Sequence, residues 1–157
     1  LDARIITGHS GYTLDSFTVL EDTGLPIQER SRIKEIVTLL IHALQQPDTA
    51  PLLPSRHISR IQKAFQMPTC VSFHEDTANS RTVVELVSWD RPGLLCRVGQ
   101  AFMESGVQLH NAKIMTVGAR AEDVFFVTDR ENRPLNDSRK YMALRETLVA
   151  QLDSGEE

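Results

Sequence analysis

The chain has 157 residues, of which 41% are hydrophobic and 24% are charged, enough for one globular domain or two small ones. Its formal net charge of −4 argues against binding to nucleic-acid phosphates. No apolar run approaches the roughly 20 residues that span a bilayer, and no signal peptide opens the chain. We therefore expect a cytoplasmic protein that has neither a membrane nor a nucleic acid as a partner.

The chain contains an internal repeat. Residues 2–7 (DARIIT) align with residues 111–116 (NAKIMT), and residues 15–19 (DSFTV) align with residues 123–127 (DVFFV). An amphipathic helix predicted from about residue 31 to residue 44 aligns with a second one over residues 137–152. The residues expected to face inward are Ile33, Ile36, Val37, Leu40 and Leu44 in the first helix, and Tyr141, Leu144, Leu148 and Leu152 in the second. The first copy lacks an opening strand and helix, so we expect residues 1–46 to be an incomplete module and the chain to be a fragment.

A linker is predicted between the two copies. Residues 46–54 contain three prolines, which favour an extended segment. Ser55 then caps a predicted short helix whose apolar side carries Ile58, Ile61 and Phe65. We assign residues 47–67 to this linker and helix, and residues 68–153 to the second module.

The second module opens with a predicted hairpin. One strand covers residues 69–74 and the next covers residues 82–89, with a polar turn between them. The second of these has apolar residues on both faces, as an interior strand does. Because nothing after Leu152 forms a strand, we expect residues 69–74 to supply the fourth strand of this module's sheet.

A helix and two strands are predicted after this hairpin. Pro92 favours a first helical turn, Asp90 is expected to cap it, and Gly106 is expected to end it. The helix residues expected to face the sheet are Leu95, Val98, Ala101 and Phe102. Strands at residues 109–116 and 122–129 follow around a turn at Gly118, with Ala112, Ile114, Val124 and Phe126 as core candidates.

The two cysteines and five histidines show no metal-ligand spacing. We expect Cys70 and Cys96 to be buried, unreactive thiols. The histidines are expected to have surface or packing roles, and among them only His110 adjoins a candidate site. Neither a metal site nor a catalytic residue is predicted.

The motifs DRPGLL, NAKI and EDVFFVTD, in this order, resemble the ACT domain, a ferredoxin-like βαββαβ module that usually binds amino acids. With DARI and LDSF in the first copy, the arrangement is similar to the C-terminal region of bacterial protein-PII uridylyltransferase/uridylyl-removing enzymes. The resemblance implies an α+β fold, in which each ACT module has an antiparallel four-stranded sheet with two helices on one face. The first copy would be truncated to ββα.

The resemblance also implies a function. The parent enzymes transfer UMP from UTP to a tyrosine of the PII signalling protein, and remove it with a metal-dependent HD-type hydrolase domain. This chain has neither a G-S-x-D pattern nor a His-Asp pair, so we expect it to be non-catalytic, with Mg and UTP bound by other domains of the parent chain. In that family the ACT pair senses glutamine, which makes glutamine the expected effector.

The expected effector site lies at the first loop of the second module. An amino-acid ligand needs N–H donors for its carboxylate and oxygen acceptors for its ammonium, and a helix N-terminus offers the donors. Asn111 and its counterpart Asp2 head the matching strands of the two copies. The candidate residues are Asp90, Arg91, Pro92, Gly93, Leu94, Leu95, Asn111 and Asp2. Alternatively, Asp90 is only a helix cap and Gly93 only a turn residue. Asn111 would then only form a hydrogen bond with an unpaired backbone group at the edge of the sheet.

Other functions remain open at this point. The chain could be an ACT regulatory domain of another amino-acid-metabolism enzyme, or a stand-alone ACT-repeat protein. An RNA-binding ferredoxin-like domain is disfavoured, because no Lys/Arg-Gly precedes Phe125-Phe126. The strand pair of the first copy leaves an unpaired edge beside residues 12–20 and an uncovered apolar face, whose simplest partner is the same surface of another chain or the sheet of the second copy. We expect homo-association through residues 1–44.

Overall fold

The computed structural model describes residues 2–7, 12–21, 23–46 and 67–153. Its strands are β1 Asp2–Thr7, β2 Thr13–Thr18, β3 Cys70–Asp76, β4 Arg81–Trp89, β5 Gln108–Val117 and β6 Arg120–Thr128. The helices in these ranges are α1 Arg30–Leu44, α2 Leu94–Glu104 and α3 Ser138–Asp153. The predicted helix that begins after Ser55 lies outside the described residues.

The six strands form one antiparallel sheet in the order β2-β1-β5-β6-β4-β3. The hairpin expected before the interior strand is present, because β3 pairs with β4 from Cys70↔Val87 to Asp76↔Arg81. β1 pairs with β5 from Asp2↔Met115 to Ile6↔Asn111, so the β1–β2 hairpin extends the sheet of residues 70–128. The edge expected to be unpaired, beside residues 12–20, belongs to β2, which ends the sheet, whereas β1 pairs with β5 of the second copy.

The core lies between α2, α3 and one face of this sheet. Alternation places Thr82, Val84, Leu86 and Ser88 of β4 on the covered face, and all four are buried. The Phe102 ring of α2 meets Phe125 of β6 edge-on, with ring centroids 5.2 Å apart. Both helices bury the residues that repeat at helical spacing, and in α3 these are the predicted Leu144, Leu148 and Leu152.

The start of α2 differs from the prediction. Asp90 does not cap the helix, because α2 begins at Leu94 with Gly93 at the N-cap position and no side-chain cap hydrogen bond. Gly93 has a φ of 80°, a left-handed conformation that glycine adopts without strain. The predicted inward position of Leu95 was also wrong, because Leu94 is buried and Leu95 is 41% exposed.

The predicted buried face of β6 was wrong by one residue. Phe125 and Val127 are buried, whereas Val124 and Phe126 are only half-buried on the opposite face. Both faces of this strand carry apolar residues, so alternation alone does not select the face that the helices cover. The predicted burial of both cysteines was also wrong. Cys70 is exposed on an edge strand and Cys96 is half-buried in the first turn of α2.

Helix α1 buries none of its residues. The predicted inward residues Ile33, Val37, Leu40 and Leu44 are all exposed, because no described element covers them. Within the described residues, no helix is both long enough and apolar enough to cross a membrane.

Candidate functional site

A pocket of about 360 Å³ lies on the helix side of the sheet, where β1, β5 and β6 meet the start of α2. We call it the loop pocket, because residues 90–96 form one wall. The sheet supplies its floor and β2 its far rim. Its lining residues are Ala3, Phe17, Thr18, Val19, Asp90, Arg91, Gly93, Leu94, Leu95, Cys96, Ile114, Thr116, Ala121 and Asp123.

The loop wall is held in place from both sides. The Arg91 guanidinium donates to the carbonyl oxygens of Gln151 and Leu152 at the C-terminal end of α3. Asp90 donates its backbone N–H to Ala119 in the β5–β6 turn at 2.9 Å. These contacts fix the loop against α3 and the sheet, with the first turn of α2 along the pocket. The N–H groups of a first turn lack intrahelical acceptors and carry the positive end of the helix dipole.

Asp123 on the pocket floor is the most unusual group of the site. It is 1% exposed, and its Oδ1 accepts the backbone N–H of Met115 at 3.2 Å. Its Oδ2 is also buried and has no hydrogen-bond partner within the described residues. Burial raises the pKa of Asp123 to about 6, the Met115 N–H acts in the opposite direction, and the Asp90 carboxylate raises it further. A buried carboxylate oxygen that has no hydrogen-bond partner lowers the stability of the folded state, because its desolvation is not offset.

A second carboxyl group belongs to the same pocket. Asp90 is half-buried, and burial raises the pKa of its carboxyl. The Arg91 guanidinium donates to the end of α3. The carboxylates of Asp90 and Asp123 therefore make the polar end of the pocket negative. The rest of the lining is largely apolar, so the pocket combines an apolar wall with a few polar groups, as small-molecule sites do.

Most of the predicted site residues meet at this pocket. Five of the six loop candidates line it, and Pro92 is exposed beside it. Asn111 is half-buried on β5 between Ile6 and Phe126, and alternation from Ala112 and Ile114 places it on the opposite face. Asp2 begins β1 with its backbone opposite Met115, and its side chain lies outside the described part.

Sequence reasoning missed Asp123 and the β2 rim. The signal for Asp123 was present, because it lies two residues before Phe125 and so shares the buried face of β6. The rim at residues 17–19 depends on the pairing of β1 with β5, which the repeat alone does not predict. His110, the histidine next to the candidate site, has Nε2 at 2.8 Å from Oγ1 of Thr128.

Two other depressions have carboxylates that are paired within the chain. In one, Asp153 accepts the Thr69 hydroxyl at 2.6 Å. In the other, Asp129 accepts the Arg133 N–H at 2.9 Å and the Lys140 ammonium at 3.1 Å. No group of three or more His, Cys, Asp or Glu residues in the described ranges is placed to hold a metal ion. The unpaired oxygen of Asp123 therefore distinguishes the loop pocket.

Nearly the whole chain is homologous to one segment of a longer bifunctional enzyme that transfers and removes uridylyl groups. Relatives that are 42–48% identical over 95–99% of this chain are bifunctional uridylyltransferase/uridylyl-removing enzymes. They include those of Methylococcus capsulatus (48% identical over 95% of this chain), Stutzerimonas stutzeri (44% over 99%) and Ectopseudomonas mendocina (46% over 96%). The chain spans 17% of the length of each. No protein-family profile and no solved structure matches the chain.

Proposed function

We propose that this chain is the glutamine-sensing, non-catalytic ACT region of a cytoplasmic uridylyltransferase/uridylyl-removing enzyme. In this proposal it controls the uridylylation and deuridylylation of the PII nitrogen-signalling protein. Homology to a segment of such enzymes supports the parent activity. The observation that carries the sensing role is the loop pocket, which has a helix N-terminus on one wall and the unpaired Asp123 oxygen on its floor.

The two ends of a free amino acid match this arrangement. An α-carboxylate at the first turn of α2 accepts backbone N–H groups and gains about 0.3–1 kcal/mol from the helix dipole. An ammonium group needs oxygen acceptors, which Asp123 on the pocket floor supplies. The aliphatic part of the ligand then contacts Leu95, Ile114 and Phe17. An amino acid that fills the pocket contacts the loop, the sheet floor and the β2 rim together.

This bridging position gives the ligand a way to act at a distance. Residues 17–19 belong to the β1–β2 hairpin and residues 90–96 to the second repeat, so a bound ligand biases how the two halves pack. A coupling of about 1–3 kcal/mol is enough for an allosteric switch. The catalytic steps, with Mg and UTP, belong to the other domains of the parent chain in this proposal.

Calorimetric titration tests the effector. We expect saturable binding of glutamine, with glutamate, serine and the aromatic amino acids at least tenfold weaker, roughly 1.4 kcal/mol. Binding of a different amino acid would instead favour an ACT domain that serves another amino-acid-metabolism enzyme. The complete parent enzyme provides the matched control, because a site that needs further parts of the enzyme would bind there and not in this chain.

We also propose that the chain associates with a second copy of itself through residues 1–44. β2 has an open outer edge, and large apolar side chains of α1 and β2 are exposed together with it. α3, which occupies the same place in the repeat as α1, buries its apolar residues against α2 and the sheet. A second copy presents the same edge and the same apolar helix face, as a two-fold symmetric contact requires.

A further inference from the structure

We propose that Asp123 is the anchor for the ammonium group of the effector, so that the loop pocket selects ligands with a free primary amine. This inference rests on the proposed function for its ligand, but it concerns a residue and a chemical requirement that the sensing role alone does not specify. The geometry that carries it is the second carboxylate oxygen, which is buried in the pocket floor without a partner among the described residues.

Asp123 does not need a negative charge to accept the backbone N–H of Met115. Among the described residues its one hydrogen bond comes from Met115, and a neutral asparagine oxygen would accept that N–H equally well. A negative charge at 1% exposure adds a desolvation cost without adding a partner. A cationic ligand at Oδ2 would offset this cost with a charge-assisted hydrogen bond.

The neighbours of Asp123 favour a cation in the pocket. Asp90, on the loop before α2, adds a second carboxylate. The pocket residues from β1, β2, β5 and β6 are otherwise uncharged. On the α2 side the remaining titratable groups are Arg91, which donates to α3, and the Cys96 thiol. A doubly anionic ligand without an amine would be repelled, so we expect a small zwitterion or amine, not a phosphate.

Binding should also depend on pH. The ligand needs the ionised form of Asp123, whose pKa is raised to about 6 in the free protein. Affinity should therefore fall as the pH is lowered through this value, while the ligand ammonium stays protonated throughout. The pKa of the Asp90 carboxyl is also raised by burial, so its protonation at lower pH would weaken binding of the ammonium group further.

The test compares two variants and two ligands. Asp123→Asn keeps the acceptor for Met115 and removes the charge. Glu122→Gln is the matched control, because it removes a carboxylate from the adjacent residue, which is paired with Arg120 and faces the other side of the sheet. The ligands are glutamine and 4-carbamoylbutanoate, which is glutamine without its amino group. Calorimetry gives six affinities, those of the unsubstituted chain and the two variants for each ligand, and circular dichroism confirms that both variants are folded.

We expect Asp123→Asn to weaken glutamine binding about 10- to 100-fold, as loss of a charge-assisted hydrogen bond predicts. Glu122→Gln should leave it unchanged. 4-Carbamoylbutanoate should bind the unsubstituted chain weakly and be insensitive to Asp123→Asn. If glutamine binds both Asp123 forms equally, or if 4-carbamoylbutanoate binds as tightly as glutamine, the ammonium anchor is wrong and the sensing function stands.

A third probe separates the two proposals when glutamine itself does not bind. Ethylammonium is then titrated while the Met115 amide is followed by NMR. A saturable shift in the unsubstituted chain that is lost in Asp123→Asn would retain the anchor and reject glutamine sensing. The absence of any shift would reject both.

Discussion

Met115 donates its backbone N–H to one oxygen of the Asp123 carboxylate at 3.2 Å, and the other oxygen is buried with no hydrogen-bond partner in the described part of the chain. The two residues lie on β5 and β6, on the floor of the loop pocket beside the strand that joins the β1–β2 hairpin to the sheet. The fold therefore keeps a charged group where a neutral acceptor would serve stability better.

Asp123→Asn should stabilise the ligand-free chain near neutral pH. The pKa of Asp123 is raised from 3.8 to about 6 on folding, so the folded state binds the proton more tightly than the unfolded state. The stability of the unsubstituted chain should therefore fall as pH rises through this window, and the loss should be complete above it. We expect a gain of roughly 1–3 kcal/mol for the variant above the window, which shrinks as pH falls towards 4. Urea unfolding at several pH values measures it, and a pH-independent difference would contradict it.

Asn111→Ala tests whether the seam between β1 and β5 takes part in regulation. In the full enzyme we expect a weaker glutamine response of uridylyl removal and an unchanged basal transfer activity, because Asn111 pairs with Ile6 at the junction of the two repeat halves. Lys113→Ala is the control, since Lys113 is exposed on the same strand and the same face. A glutamine response equal to that of the control would show that the Asn111 side chain takes no part in regulation.

Two glycines, one inside α2 and one just after it, should respond in opposite ways to substitution by alanine. Gly99 lies inside α2, and an added Cβ would meet nothing within 4 Å, so Gly99→Ala should stabilise the chain by roughly 0.5–1 kcal/mol. Gly106 has a φ of +65°, and its Cβ would lie 2.9 Å from Nε of Arg130. Gly106→Ala should therefore destabilise by roughly 1–2 kcal/mol. Thermal unfolding of both variants shows whether each substitution raises or lowers the stability of the chain.

Sedimentation velocity tests the proposed association of two copies. We expect a dimer at micromolar concentration, and Leu40→Glu in α1 should shift it towards monomer, because Leu40 is 56% exposed in an uncovered apolar face. Met142→Glu, an equally exposed apolar position on α3 at 58%, is the matched control. A monomer, or equal effects of both substitutions, would contradict an interface at residues 1–44.

The sequence predicted the positions of the strands and helices better than it predicted which side of each is buried. The pairing of β3 with β4 could be anticipated because two apolar strand patterns flank a short polar turn at residues 76–80. The cap at Asp90 failed because Gly93 takes a left-handed conformation and starts α2 later than the Asp-x-Pro-Gly pattern suggests. Phe125 and Phe126 both have a strong apolar preference, so only the helices decide which of them is buried.

The predicted site was incomplete for a related reason. The loop residues belong to a recognisable motif, whereas the pocket also needs β2, which reaches it through the long-range pairing of β1 with β5. Asp123 was not among the predicted site residues. Its importance depends on a missing partner for one oxygen, which only three-dimensional packing reveals.

The most direct test of the account is an NMR titration of the isotopically labelled chain with glutamine. We predict saturable amide shifts concentrated at residues 90–96 and 114–123, with a smaller set at residues 17–19 on the β2 rim. Saturable shifts confined instead to the depression around Gly106 and Lys140, or no saturable shift in either this chain or the complete enzyme, would contradict a glutamine site in the loop pocket.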